Sequence, residues 1–237
     1  MLSQFQNDAR FAVLWTGIYV IANALFALPA TRSLAMASIG FAVLATILIL
    51  TASRAGNIRT FGAANAITTF RLGMVAVLIG ATGSAAATLE TWWPAAIAGL
   101  ALMLDGVDGA VARRKGLESR FGALFDQETD ALLILVLTLL LAVSGKIGWW
   151  IVAAGLMRYV LLAAGMIWPS LTEPLPKSRL RRSVCGVLVG TLAVCALPQV
   201  TPIYANALAA AALSVLTLSF AKDLIWLLKQ APGRTHA

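Results

Sequence analysis

Apolar and polar positions fall along this chain in long blocks, and the blocks predict helices. Apolar runs extend roughly over Phe11–Pro29, Leu34–Ala52, Asn65–Gly83, Trp92–Ala112, Leu124–Ser144, Ile147–Trp168, Val184–Val200 and Ile203–Leu228. Each approaches the ~20 residues that an α-helix needs to cross a bilayer. Polar links separate them. A short link with Arg32 joins the first two runs, and the basic, glycine-bearing stretch SRAGNIRTFGAA that follows is the clearest internal boundary. Pro198 and Pro202 break the last two runs apart. Trp92 and Trp93, with Trp149 and Trp150, stand where runs begin and mark one membrane interface. The expected fold is an all-α integral membrane protein of about eight spans: a transmembrane hairpin over 1–52, a cytoplasmic linker over 53–64, a six-span block over 65–230 and a polar tail over 231–237.

Composition supports this layout. Of 237 residues, 60% are hydrophobic and only 12% are charged, which excludes an ordinary soluble domain. Eighteen basic against ten acidic residues give +8, a balance that could suit nucleic acid. The basic residues instead sit at the ends of apolar runs, where membrane topology and anionic lipid or nucleotide groups account for them. The links before the third run, after the fourth and after the sixth are basic, as is the tail, whereas the alternate links hold only Arg32 and Lys146. By the positive-inside rule both termini face the cytoplasm. The first run follows a single Arg10 and is long for a signal peptide, so a retained span is expected. Cys185 and Cys195 lie in one run, ~15 Å apart on a helix, too far to pair. His236 is expected to be a tail residue without a role.

One polar stretch does not fit a plain bundle. DGVDGAVARRKGLESRFGALFDQETD, from Asp105 to Asp130, holds four of the six aspartates of the chain. On a helix turning ~100° per residue, Asp105, Asp108, Gly109 and Ala112 share a face, and so do Gly122, Asp126 and Asp130. The charged segment RRKGLESR between them can turn the chain back, so that carboxylates converge from two helices beside small residues. Desolvation and mutual repulsion would protonate such a cluster unless a counter-charge is supplied. Divalent metal supplies it, and an all-oxygen set suits Mg²⁺ or Mn²⁺ rather than zinc. The plain alternative is a pair of helix ends whose acids balance Arg113, Arg114, Lys115 and Arg120, but it gives Gly109, Ala112 and Gly122 no purpose.

At every defined position this segment resembles the signature of the CDP-alcohol phosphatidyltransferase family, and the hydrophobic layout extends the likeness over about the last three quarters of the chain. The resemblance implies transfer of a phosphatidyl group from CDP-diacylglycerol to an alcohol, with release of CMP, in phospholipid biosynthesis. It also implies that the last six runs are the catalytic core and the first two an added hairpin. By the same likeness Asp105, Asp108, Asp126 and Asp130 hold two Mg²⁺ or Mn²⁺ ions, and Asp130 also serves as general base. Gly109 and Ala112 leave space for cytidine, Arg113 places charge near the nucleotide phosphate, and Gly122 lets the two signature helices approach. Glu128 lies off the aspartate face and is not expected to be a ligand.

Asn65, Thr68 and Arg71 recur at every third position where the third run begins. Alone they read as an N-cap and boundary residues. The family has an Asn-x-x-Thr-x-x-Arg element there, usually after proline, where this chain has Ala64. That likeness implies that Thr68 faces nucleotide or phosphate and that Asn65 braces the site. Arg158, midway along its run, is expected either in a structural ion pair or facing phosphate, the second being favoured. Lys177, Arg179 and Arg182 are expected to help hold an anionic substrate, and Arg181 to set topology. No aromatic cage for choline is visible, and the basic residues favour an anionic acceptor. Expected partners are therefore CDP-diacylglycerol, that acceptor and membrane lipids, with no nucleic acid, and a homodimer is compatible with the layout. Two other functions compete with this one. A cation channel or transporter needs carboxylates through the depth of the membrane and commonly shows an internal repeat, and a structural membrane protein would tolerate loss of the aspartates.

Overall fold

Six helices longer than a single turn form the described chain, and no strand occurs among the described residues. The structure is a computed structural model that describes residues 63–115, 120–167 and 179–230. The expected hairpin, most of the linker, Lys177 and the tail lie outside these residues. The helices are α1 (Ala63–Ala81), α2 (Trp93–Lys115), α3 (Arg120–Val143), α4 (Val152–Ile167), α5 (Arg179–Cys195) and α6 (Pro202–Gln230). One helical turn, Ala85–Thr88, and two 3-10 segments, Thr82–Ser84 and Trp149–Ile151, complete the connections.

Their ends follow from local chemistry. Past the end of α3, Gly145 adopts a φ of 75°, a left-handed conformation that is easy only without a Cβ. The chain then folds back, and the Ile147 N–H donates to the Leu141 carbonyl at 3.2 Å. Pro202 opens α6 at the position where its missing N–H costs nothing, and the Ala205 N–H donates to the Thr201 carbonyl at 2.9 Å. These two turns are clasped together. Lys146 Nζ donates to the Leu197 carbonyl, and Asn206 Nδ2 donates to the Lys146 carbonyl at 3.2 Å. Cys185 and Cys195 are both free thiols, as their separation requires.

α1 lies at the centre. It packs along both α2 and α3, while α2 and α3 touch each other sparsely among the described residues. α5 joins α2 to α6, and α4 lies on α3. Among the described residues the two signature helices therefore meet chiefly through α1. The core between them is leucine-rich, with Leu78, Leu133, Leu137, Leu140, Leu141 and Leu188 fully buried. Helices packed through such a core approach closely only where a side chain is small, so small residues at crossings matter.

Gly155 marks a close crossing of α4 on α3. A Cβ built there would stand 2.6 Å from the Leu135 Cα and 3.0 Å from Thr138 Oγ1. Gly155→Ala is expected to push α4 away from α3 at an overpacking cost of about 1–3 kcal/mol. A lower thermal midpoint of the purified protein in detergent is the check, and an unchanged midpoint would mean that the helices separate freely.

Among the described residues one helical segment, the 21 residues Pro202–Lys222, is long and apolar enough by itself to cross a membrane. The apolar parts of other helices are shorter: Ala66–Ala81, Trp93–Gly106, Trp149–Leu161 and Ser183–Cys195. In α2 the apolar stretch ends where its aspartates begin.

Candidate active site

Asp105 sits in the second half of α2, and Asp126 and Asp130 lie one turn apart near the start of α3. The helical period puts Asp126 and Asp130 on one face, and that face turns toward α1. Carboxylate oxygens from Asp105, Asp126 and Asp130 come within 4.8 Å of one another. Asp108, Gly109, Ala112 and Arg113 continue along α2, which stays helical to Lys115. Gly122 is half-buried in the first turn of α3.

The residue that joins these acids is Arg71 of α1. Its side chain is 1% exposed. Nη1 lies 3.2 Å from Asp105 Oδ1 and donates to Asp126 Oδ1 at 2.6 Å, and Nη2 donates to Asp130 Oδ1. Nε donates to the Ala101 carbonyl of α2 at 3.0 Å, which aims the two terminal nitrogens at the acids. The planar fork of a guanidinium makes this multiple contact possible, and a compact ammonium could not reproduce it. Sequence reasoning grouped Arg71 with Asn65 and Thr68 but gave it no task of its own. The available signal was charge balance, because an arginine inside an apolar run needs acidic partners.

Other expected residues take several positions. Asn65 lies inside α1 rather than capping it, and Thr68 is buried at 3% exposure one turn before Arg71. Arg158 of α4 is ion-paired to Glu128, with Nη2 donating to Oε1 and Nε donating to Oε2 at 3.4 Å. Glu128 is two residues from Asp126 and from Asp130, so the pair lies on a different face of α3 from the acid cluster. The ion-pair alternative is thus the arrangement seen, although the phosphate-facing one was favoured. Arg179 and Arg182 lie in the first turn of α5. A groove of about 350 Å³ opens between α2 and α5 along Trp92, Gly99, Leu102 and Gly190. Its lining is almost wholly apolar and offers nothing to a pyrophosphate, in contrast to the acid cluster.

The donor set fits a divalent cation: hard carboxylate oxygens converge from two helices with one guanidinium among them. When all three carboxylates are ionised, one guanidinium leaves the cluster negative.

Residues 61–220 match the family model described as CDP-alcohol phosphatidyltransferase. The chain is 29% identical over 149 residues to a Mycobacterium tuberculosis protein named "Putative cardiolipin synthase", covering 62% of this chain and 69% of that one. A Mycobacterium bovis protein of the same name matches equally, at 29% identity over 149 residues. Another from Mycobacterium tuberculosis, named "Probable phosphatidylglycerophosphate synthase", is 34% identical over 109 residues, covering 44% of this chain and 51% of that one. No solved structure matches.

Proposed function

The chain belongs to the CDP-alcohol phosphatidyltransferase family, and we propose that it transfers a phosphatidyl group from CDP-diacylglycerol to an anionic alcohol, releasing CMP. The observation that carries this reading is the convergence of Asp105, Asp126 and Asp130 from the two signature helices. The family is generally dependent on divalent metal. When bound at the four aspartates, Mg²⁺ or Mn²⁺ ions would offset the pyrophosphate charge and steady the departing CMP.

The protein's own groups divide the remaining work. Oδ1 of Asp130 faces Arg71, while Oδ2 has no partner among the described residues. Oδ2 is therefore the atom that accepts the proton of the acceptor hydroxyl as its oxygen attacks the lipid-bearing phosphorus. Gly109 and Ala112, one and two turns beyond Asp105, leave the face of α2 low enough for cytidine. Arg113, beside Ala112, meets the nucleotide phosphate, and Thr68 and Asn65 border the same end of the site from α1. Gly122 keeps the start of α3 slim where the donor passes.

The acceptor end rests on Lys177, Arg179 and Arg182, because Arg158 would have to leave Glu128 to hold an anion. The names of the relatives agree with an acceptor that brings its own phosphate, since phosphatidylglycerophosphate and cardiolipin both carry more than one. We further place the core in the membrane as six spans over 65–230, behind an added hairpin over 1–52 and a linker over 53–64, with the acid end cytoplasmic. The basic residues Arg113, Arg114, Lys115 and Arg120 beside the acids support that side. An ion channel is disfavoured by Arg71, whose guanidinium sits among all three carboxylates where a cation would have to pass.

Purified protein given CDP-diacylglycerol, Mg²⁺ or Mn²⁺ and a panel of alcohols tests the proposal. CMP release should depend on an added alcohol and favour phosphate-bearing ones over inositol, serine or choline. Arg179→Ala with Arg182→Ala should raise the KM for the phosphorylated acceptor by about tenfold with little effect on the donor. No CMP release with any acceptor would overturn the activity, and a raised KM for the donor alone would move the basic cluster to the CDP-lipid.

A further inference from the structure

Arg71 has more contacts than a structural ion pair needs. A cross-link between two helices is satisfied by one carboxylate, as Arg158 and Glu128 show. Among the described residues Arg71 instead spans three, one on α2 and two on α3, and is fixed in orientation by the Ala101 carbonyl. These are the same three carboxylates whose oxygens converge as a candidate cation site. Among the described residues the helices that carry them have little direct contact, so α1 and its guanidinium bridge the acids.

We propose that Arg71 is a positioning residue that stands in for divalent charge. It keeps Asp105, Asp126 and Asp130 converged in the ion-free protein, and it yields most of that task to the metal when the metal binds. The proposal rests on the reading of these aspartates as metal ligands. One positive charge against three negative ones holds the carboxylates together without cancelling them. The cluster thus stays attractive to a doubly charged ion and needs little rearrangement to receive it. A lysine would give the charge without the fork, and so would gather the acids incompletely.

Thermal unfolding in detergent, with chelator and with saturating Mn²⁺, separates this role from a simple structural one. The proteins are the full chain, Arg71→Met and Arg71→Lys. In chelator Arg71→Met should unfold about 10 °C below the unaltered protein, since unpairing a buried group is costly. Mn²⁺ should close at least half of that gap, and Arg71→Lys should lie between the two. A gap of equal size with and without Mn²⁺ would overturn the proposal and leave Arg71 a plain cross-link. So would a gap that widens with Mn²⁺. Should Arg71→Met fail to accumulate, Arg71→Lys carries the same comparison: a deficit closed by Mn²⁺ supports the role and a constant deficit overturns it. An unaltered protein that gains no stability from Mn²⁺ would overturn the metal reading itself, and this proposal with it.

Discussion

Asparagine in place of Asp130 should cut CMP release by about 10³-fold while CDP-diacylglycerol still binds. The substitution is nearly isosteric, and the amide oxygen can still accept from Arg71 Nη2, so the link between α1 and α3 survives. What disappears is the oxygen able to take a proton, together with one anionic ligand. Binding of the donor should weaken only as far as the metal is held less well. Glu128→Gln is the matched control two residues away, on another face of α3, and should turn over at a near-normal rate. Turnover assays and a separate donor-binding measurement on both variants decide the matter. Normal turnover in Asp130→Asn would remove Asp130 from the chemistry, and loss of donor binding alone would recast it as a ligand without a proton-transfer role.

The second large effect is that of chelation. With metal stripped, CMP release should fall to background, and Mg²⁺ or Mn²⁺ should restore it. The reason lies in the charge of the site. When ionised, Asp105, Asp126 and Asp130 carry three negative charges, and Arg71 offsets one of them, leaving two. A pyrophosphate approaching that residue of charge is repelled, and in a partly desolvated setting the repulsion is far stronger than in water. Divalent ions reverse the sign. Activity that persists in chelator would show that protein cations alone can hold the donor, and Arg113 would then be the group to test.

The spacing of the four aspartates was enough to place Asp105, Asp126 and Asp130 in one cluster, because a helix turns by a fixed angle and faces can be read from a sequence. One helix boundary was legible for a related reason: Pro202, where the last two runs break, begins α6. The identity of neighbouring helices was harder. Periodicity says which side of a helix a residue occupies, but not which helix lies against that side. The two signature helices were therefore expected to meet each other, whereas α1 lies along both. Arg71 was overlooked for the same reason, since its partners are 55 and 59 residues away in α3. For Arg158 an ion pair and a phosphate-facing role were both open, and its partner Glu128, an acid off the aspartate face, could not be told from periodicity alone.

The reach of Arg71 also bears on how such a chain is built. If the helices enter the bilayer in order of synthesis, α1 arrives with a guanidinium that hydrocarbon accepts only at a cost of about 2.5–3.5 kcal/mol. Its first partners, the Ala101 carbonyl and Asp105, come with the next helix, and the carbonyl follows only 30 residues later. α1 and α2 can then settle as a hairpin whose polar atoms shield one another. The later arrival of α3, with Asp126 and Asp130, completes a partly occupied socket instead of leaving two bare carboxylates in the lipid. On the proposed six-span arrangement the site would in this way be assembled during biogenesis around a residue that the nascent chain cannot leave unpartnered.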